Sequence, residues 1–102
     1  MNQVVVYVQF PHQGPFGDEM ANQLEELAKS IITEPGCLWK IWTENQAENL
    51  AGGIYLFESR ATAENYLNKH TERLQKWGYT HIESRIFNIN ETLSLLDKAP
   101  VG

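Results

Sequence analysis

The chain opens on an apolar run, Val4 to Phe10, in which both alternating faces are largely hydrophobic. Val4, Val6, Val8 and Phe10 share one face, and Val5, Tyr7 and Gln9 the other. β-branched and aromatic residues in this pattern predict a strand, and a strand apolar on both sides belongs to a sheet that water reaches on neither face. Gly14-Pro15-Phe16-Gly17 follows as a turn, with Asp18 as a helix N-cap and Glu19 at the positive end of the helix dipole. Met20, Leu24, Leu27, Ala28 and Ile31 then form a stripe at helical spacing, which Pro35-Gly36 ends.

Cys37 to Glu44 predicts a second strand with Trp39 and Ile41 on one face and Leu38 and Trp42 on the other. Asn45 to Ala51 reads as a polar loop, and Gly52 to Phe57 as a third strand close enough to form a hairpin with the second. The Gly52-Gly53 pair signals a bulge or a close backbone approach. Ser59 caps a second helix running to about Trp77 and stopped by Gly78; its apolar stripe is Ala63, Leu67, His70, Leu74 and Trp77. Tyr79 to Ile89 is the fourth expected strand, Asn90 caps a short helix through Leu96, and Lys98 to Gly102 reads as a tail.

This order, β-α-β-β-α-β, predicts an α+β fold of the split, ferredoxin-like kind: a four-stranded antiparallel sheet with two helices on one face. Residues 1–102 form a single domain, since 102 residues leave no room for a second core. The remaining sheet face is apolar, and a two-fold homodimer stacked through the sheet faces is the economical way to cover it.

Thirteen acidic residues against eight basic ones leave a net charge of −5, which argues against a nucleic-acid partner. No run approaches the roughly 18–20 apolar residues of a membrane span, and the N-terminus lacks the marks of a signal peptide. Cys37 is the one cysteine, so no internal disulfide forms and a cytoplasmic location is expected.

Chemistry-bearing residues are few. His70 sits on the inner stripe of the second helix between Leu67 and Leu74. Burial there favours the neutral ring, either as a base or ligand or as a core histidine bonded to a carbonyl or a tyrosine. Arg73 borders the same face and either holds a substrate oxygen or pairs with Glu72 or Glu64. Tyr7, Trp39, Trp42, Tyr55, Phe57, Tyr66 and Phe87 could wall a pocket for a flat organic ligand, or simply fill a core and a dimer interface. Strand parity puts Trp39 and Trp42 on opposite faces. Gly14-x-x-Gly17 matches no phosphate-binding fingerprint, and His12, His70 and His81 show no metal-ligand spacing. Cys37, with no helical base beside it, reads as a packing residue.

Four blocks carry a resemblance. Gly14-Pro15-Phe16-Gly17-Asp18, Glu34-Pro35-Gly36-x-Leu38-Trp39-Lys40-x-Trp42-Thr43-Glu44, Ala51-Gly52-Gly53-Ile54-Tyr55-Leu56-Phe57 and Tyr66-Leu67-x-Lys69-His70-Thr71-x-Arg73-Leu74 stand in the order seen in the YdhR-type mono-oxygenase family. The chain resembles that family from roughly Val4 to Leu95. The resemblance implies a dimeric α/β barrel and an oxygenase that oxidises a small aromatic (phenol, anthrone or quinone-like) substrate with O2, without metal or flavin. In such an enzyme His70 would be the base or proton shuttle, and Tyr55, Tyr66 or Arg73 would hold the oxyanion. Trp39 or Trp42 would stack on the substrate, with Tyr66 and Phe57 completing its walls. No cofactor is expected on this reading. The alternatives are a haem-binding or haem-degrading barrel protein with His70 as axial ligand, and a non-catalytic dimer that binds a small ligand.

Overall fold

Alternation along the first run becomes strand β1 (Val4–Pro11), with Val4, Val6, Val8 and Phe10 buried. The computed structural model describes residues 2–102. It continues through α1 (Gly17–Ile31), β2 (Cys37–Asn45), β3 (Leu50–Phe57), α2 (Arg60–Lys76), β4 (Glu83–Asn88) and α3 (Glu91–Leu96). The sheet has four strands in the order β2-β3-β1-β4, and every neighbouring pair is antiparallel. This is the ferredoxin-like arrangement with a short helix added at the end.

Register decides which side chains meet. Val6 pairs with Tyr55 and Ile86, and these face the helices. Tyr7, paired with Ile54 and Arg85, faces the opposite side of the sheet. The core lies between the first face and the helical stripes, where Met20 and Ile31 of α1 and Ala63, Tyr66 and Leu74 of α2 are buried. On α2 the buried stripe passes through Tyr66, while Leu67 is only half-buried against its edge. Along β2, Trp39 and Ile41 oppose Leu56 and Ile54, whereas Lys40 and Trp42 oppose Tyr55 and Gly53 on the helical side.

Several boundaries differ from expectation for identifiable reasons. Asp18 does not cap α1. Phe16 occupies the N-cap without a side-chain bond, and the Gly17 amide instead donates to both carboxylate oxygens of Glu44, at 3.1 and 3.2 Å. A carboxylate from β2 thus meets the positive end of α1 and ties helix to sheet. β4 starts at Glu83 rather than Tyr79, because His81 adopts a left-handed φ of 54° and Tyr79 turns its ring onto Phe10, 4.5 Å between centroids. β3 begins at Leu50, inside the expected loop. The irregularity in pairing falls between Cys37 and Trp39, not at Gly52-Gly53. The last residues are docked: the Trp39 indole donates to the Pro100 carbonyl at 3.0 Å, and the Gly102 amide to the Gln3 side chain at 2.9 Å. No helix among the described residues is long and apolar enough to cross a membrane.

Both glycines of the pair mark close approaches. A Cβ on Gly52 would run into the backbone carbonyl of Val8, and one on Gly53 would lie 2.7 Å from Lys40 Cε. Gly52→Ala must therefore spread β1 from β3, and we expect a loss of about 2–3 kcal/mol in urea unfolding. A loss under about 0.5 kcal/mol, the range of a neutral surface change, would contradict this packing.

Candidate active site

Between α1, α2 and the helical face of the sheet lies a cavity of about 210 Å³. Phe10, Met20, Leu24, Leu27, Trp42 and Trp77 supply most of its apolar wall, and no acidic side chain lines it. Its polar lining includes His70 and Lys40, with His12 and Tyr79 nearer the β1–α1 turn. The volume exceeds the roughly 150 Å³ that suffices for benzene and falls below the roughly 300–1,000 Å³ of drug-sized ligand pockets.

His70 is held by its own helix. Arg73, one turn on, points its guanidinium at Nδ1, with Nε at 3.2 Å and Nη2 at 2.7 Å. A guanidinium has only donors, so Nδ1 is the acceptor and the neutral ring carries its proton on Nε2. The ring stacks on Tyr66, with centroids 5.2 Å apart and planes 20° apart. Burial, followed by the charges of Lys40 and Arg73, pulls the His70 pKa down to about 3. Nε2 has no protein partner, yet no buried polar side-chain atom among the described residues goes unsatisfied. Nε2 is therefore open to the cavity that His70 lines. The group His70 presents is a hydrogen-bond donor. Taking up a second proton there is strongly disfavoured, so the ring is poorly suited to act as a base.

Lys40 supplies what His70 does not. Its amine lies 3.4 Å from the centre of the Trp42 ring and 4.7 Å from that of Tyr55, with no carboxylate partner. The missing Cβ of Gly53 gives its stem room to cross the sheet. Burial, and then the nearby Arg73 charge, lower its pKa to about 7, and the Cys37 thiol offsets this slightly. The site thus holds one titratable amine near neutrality and one fixed N–H donor in an apolar, carboxylate-free chamber.

The remaining residues singled out from the sequence divide by position. Trp42 joins His70 and Lys40 in the cavity wall. Tyr55 and Tyr66 lie behind that wall, the Tyr66 hydroxyl donating to the Tyr55 hydroxyl at 3.2 Å. Burial raises both phenols, Tyr66 to about 12 and Tyr55 further still, so neither ionises near neutral pH. Phe57 is fully buried against both rings. Trp39 stands on the other side of the sheet. Arg73 pairs with neither Glu72 nor Glu64: Glu72 bonds Lys76 at 3.3 Å, and the guanidinium turns to the imidazole.

Sequence reasoning passed over Lys40, although its parity with Trp42 placed both on one strand face. It weighed His12 only as a metal ligand, and Tyr79 only as the start of a strand. His12 Nε2 bonds the Pro15 carbonyl at 2.8 Å, which can only accept. In the neutral ring Nδ1 then accepts from the Tyr79 hydroxyl, also at 2.8 Å. This clasp joins the β1–α1 turn to the segment after α2 beside the cavity.

A haem does not fit these residues. Ligation through Nε2 would move the imidazole proton to Nδ1, where metal-binding histidines find an acceptor and His70 instead meets two guanidinium donors. The cavity is also too small for a macrocycle.

A ferredoxin-like α+β domain with a partly open aromatic site on its helical side is the class that fold and cavity define. The family model described as "Putative mono-oxygenase ydhR" matches residues 5–100, and the chain belongs to that family. Two solved structures share its fold at low identity. One is described as a putative antibiotic biosynthesis monooxygenase from Deinococcus radiodurans. It is 13% identical with a TM-score of 0.60, over 85% of this chain and 92% of that one. The other is the N63A mutant of SnoaB, a cofactor-independent oxygenase from Streptomyces nogalater. It is 14% identical with a TM-score of 0.64, over 88% of this chain and 95% of that one. No curated protein matches the chain.

The state of His70 has a consequence for stability. Its pKa falls from 6.5 to about 3 on folding, so between those values the unfolded chain binds a proton that the folded chain does not, and stability falls as pH falls. His70→Gln removes this dependence. Unfolding free energies measured across the window should decline less steeply in the variant, and parallel declines would contradict the assignment.

Proposed function

We propose that the protein is a cofactor-independent mono-oxygenase that oxidises a one- or two-ring phenol with O2. The observation that carries this reading is the pairing of Lys40 with the Nε2–H of His70 in one apolar, carboxylate-free cavity. Unprotonated Lys40 takes the phenolic proton, and the ammonium so formed remains beside the phenolate. His70 Nε2–H donates to the developing oxyanion, and Arg73 keeps that proton in place. Trp42 offers a face for the ring. The electron-rich ring carbon then reduces O2 and bonds to it, the peroxide anion so formed takes the proton back from Lys40, and the resulting hydroperoxide loses water to leave a quinone. One oxygen atom enters the product and the other departs as water. Apolar walls strengthen both charge interactions. Family membership and the fold shared with SnoaB, a cofactor-independent oxygenase, support the reading.

Oxygen uptake with a panel of naphthols and dihydroxynaphthalenes tests it. The rate should rise with pH as Lys40 loses its proton near pH 7. Lys40→Met should abolish that limb and slow uptake on the order of 100-fold, while His70→Ala should lose a comparable factor with the limb retained. Uptake unchanged in both variants would overturn the assignment.

The same proposal includes a homodimer formed through the outer face of the sheet, in a reducing cytoplasm where the buried Cys37 thiol stays free. Ile41 and Phe87 on that face are 53% and 52% exposed in the single chain, and a second copy would bury them. Sedimentation equilibrium should show a dimer for the native chain and a folded monomer for Ile41→Asp/Phe87→Glu. A monomeric native chain would remove the dimer from the account.

A further inference from the structure

The environment of Lys40 sets it apart from every other lysine. Of the five in the chain, Lys29 pairs with Glu26 at 3.5 Å, Lys69 with Glu34 at 2.6 Å and Lys76 with Glu72 at 3.3 Å, while Lys98 is exposed near the C-terminus. Lys40 has two aromatic rings and no carboxylate. The ionisable groups that bear on it are Arg73 and Cys37, with His70 on α2 and the Tyr55 and Tyr66 phenols behind, and none is an acid ionised at neutral pH. Its Nζ has no hydrogen-bond partner and lines the cavity. The gap left by Gly53 seats its stem within van der Waals reach of the sheet backbone. Desolvation beside another cation is the setting in which a lysine amine becomes a nucleophile.

We propose that Lys40 is a covalent capture site for small aromatic aldehydes. The Nζ lone pair attacks the carbonyl carbon to form a carbinolamine. The carbonyl oxygen then leaves as water, with both nitrogen protons accounted for in that water, and a C=N bond to Lys40 remains. No oxidant or reductant takes part. His70 Nε2–H, the unpartnered donor of the same cavity, faces the oxygen as it gains charge, and the apolar walls receive the aryl group. This goes beyond the oxygenase reading, since it needs the amine as a nucleophile rather than as a base.

The test is reductive trapping with 2-naphthaldehyde and cyanoborohydride at neutral pH, followed by peptide mass mapping of the wild-type chain. The reductant delivers hydride to the imine carbon and leaves a stable secondary amine. With its pKa near 7 against the usual value of about 10.4, Lys40 should be labelled on the order of 100-fold faster than Lys98. 2-Naphthol should protect Lys40 alone. Lys40→Met, close in shape to lysine, should reduce labelling to that of the surface amines, with circular dichroism confirming its fold. Labelling of Lys40 no faster than of Lys98 would overturn the proposal, and the wild-type comparison does not depend on any variant folding. Trapping without oxygen uptake from any phenol would keep this site and remove the oxygenase reading, whereas uptake without trapping would do the reverse.

Discussion

A guanidinium that donates twice to one imidazole nitrogen leaves the other nitrogen protonated and free. The bonds from Arg73 to His70 Nδ1 are the constraint on which the site depends. They fix the tautomer, hold the ring on Tyr66, and place a positive charge where it disfavours protonation of both His70 and Lys40. A carboxylate in place of Arg73 would reverse the polarity of the contact: the proton would move to Nδ1, Nε2 would become a base or ligand, and Lys40 would keep only burial to lower its pKa.

The fold surrounds this arrangement with apolar side chains. The inner stripe of α2 carries Ala63, Tyr66, His70 and Leu74 against the sheet, so the imidazole is presented by a helix whose own position is fixed by packing. β3 contributes two glycines, one allowing β1 to approach and the other leaving a groove for the Lys40 stem. Glu44, on the inner face of β2 like Lys40 and Trp42, anchors the start of α1. The one carboxylate that the inner face of β2 carries is thereby occupied at a helix terminus. Stability and chemistry share the same strands here, since the ladder that aligns Trp42 with Gly53 also sets Lys40 over Tyr55.

Much of this was legible in the sequence. Helical spacing placed His70 on the inner face of α2, strand alternation put Trp39 and Trp42 on opposite faces, and four blocks of residues pointed to the family that the match over residues 5–100 establishes. What was not legible depended on contacts between elements. Arg73 has acidic neighbours on its own helix, and only the folded packing shows that Lys76 takes Glu72 and leaves the guanidinium to the imidazole. A lysine in an alternating strand reads as a solvated position, and its burial requires knowing that Gly53, the partner of Trp42 on the next strand, leaves room for its stem. The segment from Tyr79 to Ile82 alternates like a strand but leaves the sheet, because the left-handed turn at His81 and the ring contact with Phe10 are tertiary choices.

His70 thus has a role opposite to the one its residue type suggests, that of a fixed donor beside a titrating lysine. Nitrogen-15 NMR of the imidazole tests this most directly. The predicted spectrum has a protonated, pyrrole-like Nε2 and an unprotonated, pyridine-like Nδ1, with neither shift titrating between about pH 8 and pH 5, the interval in which an unperturbed histidine gains its charge. A proton on Nδ1, or a titration near the ordinary histidine value, would contradict the Arg73–His70 arrangement and the chemistry built on it.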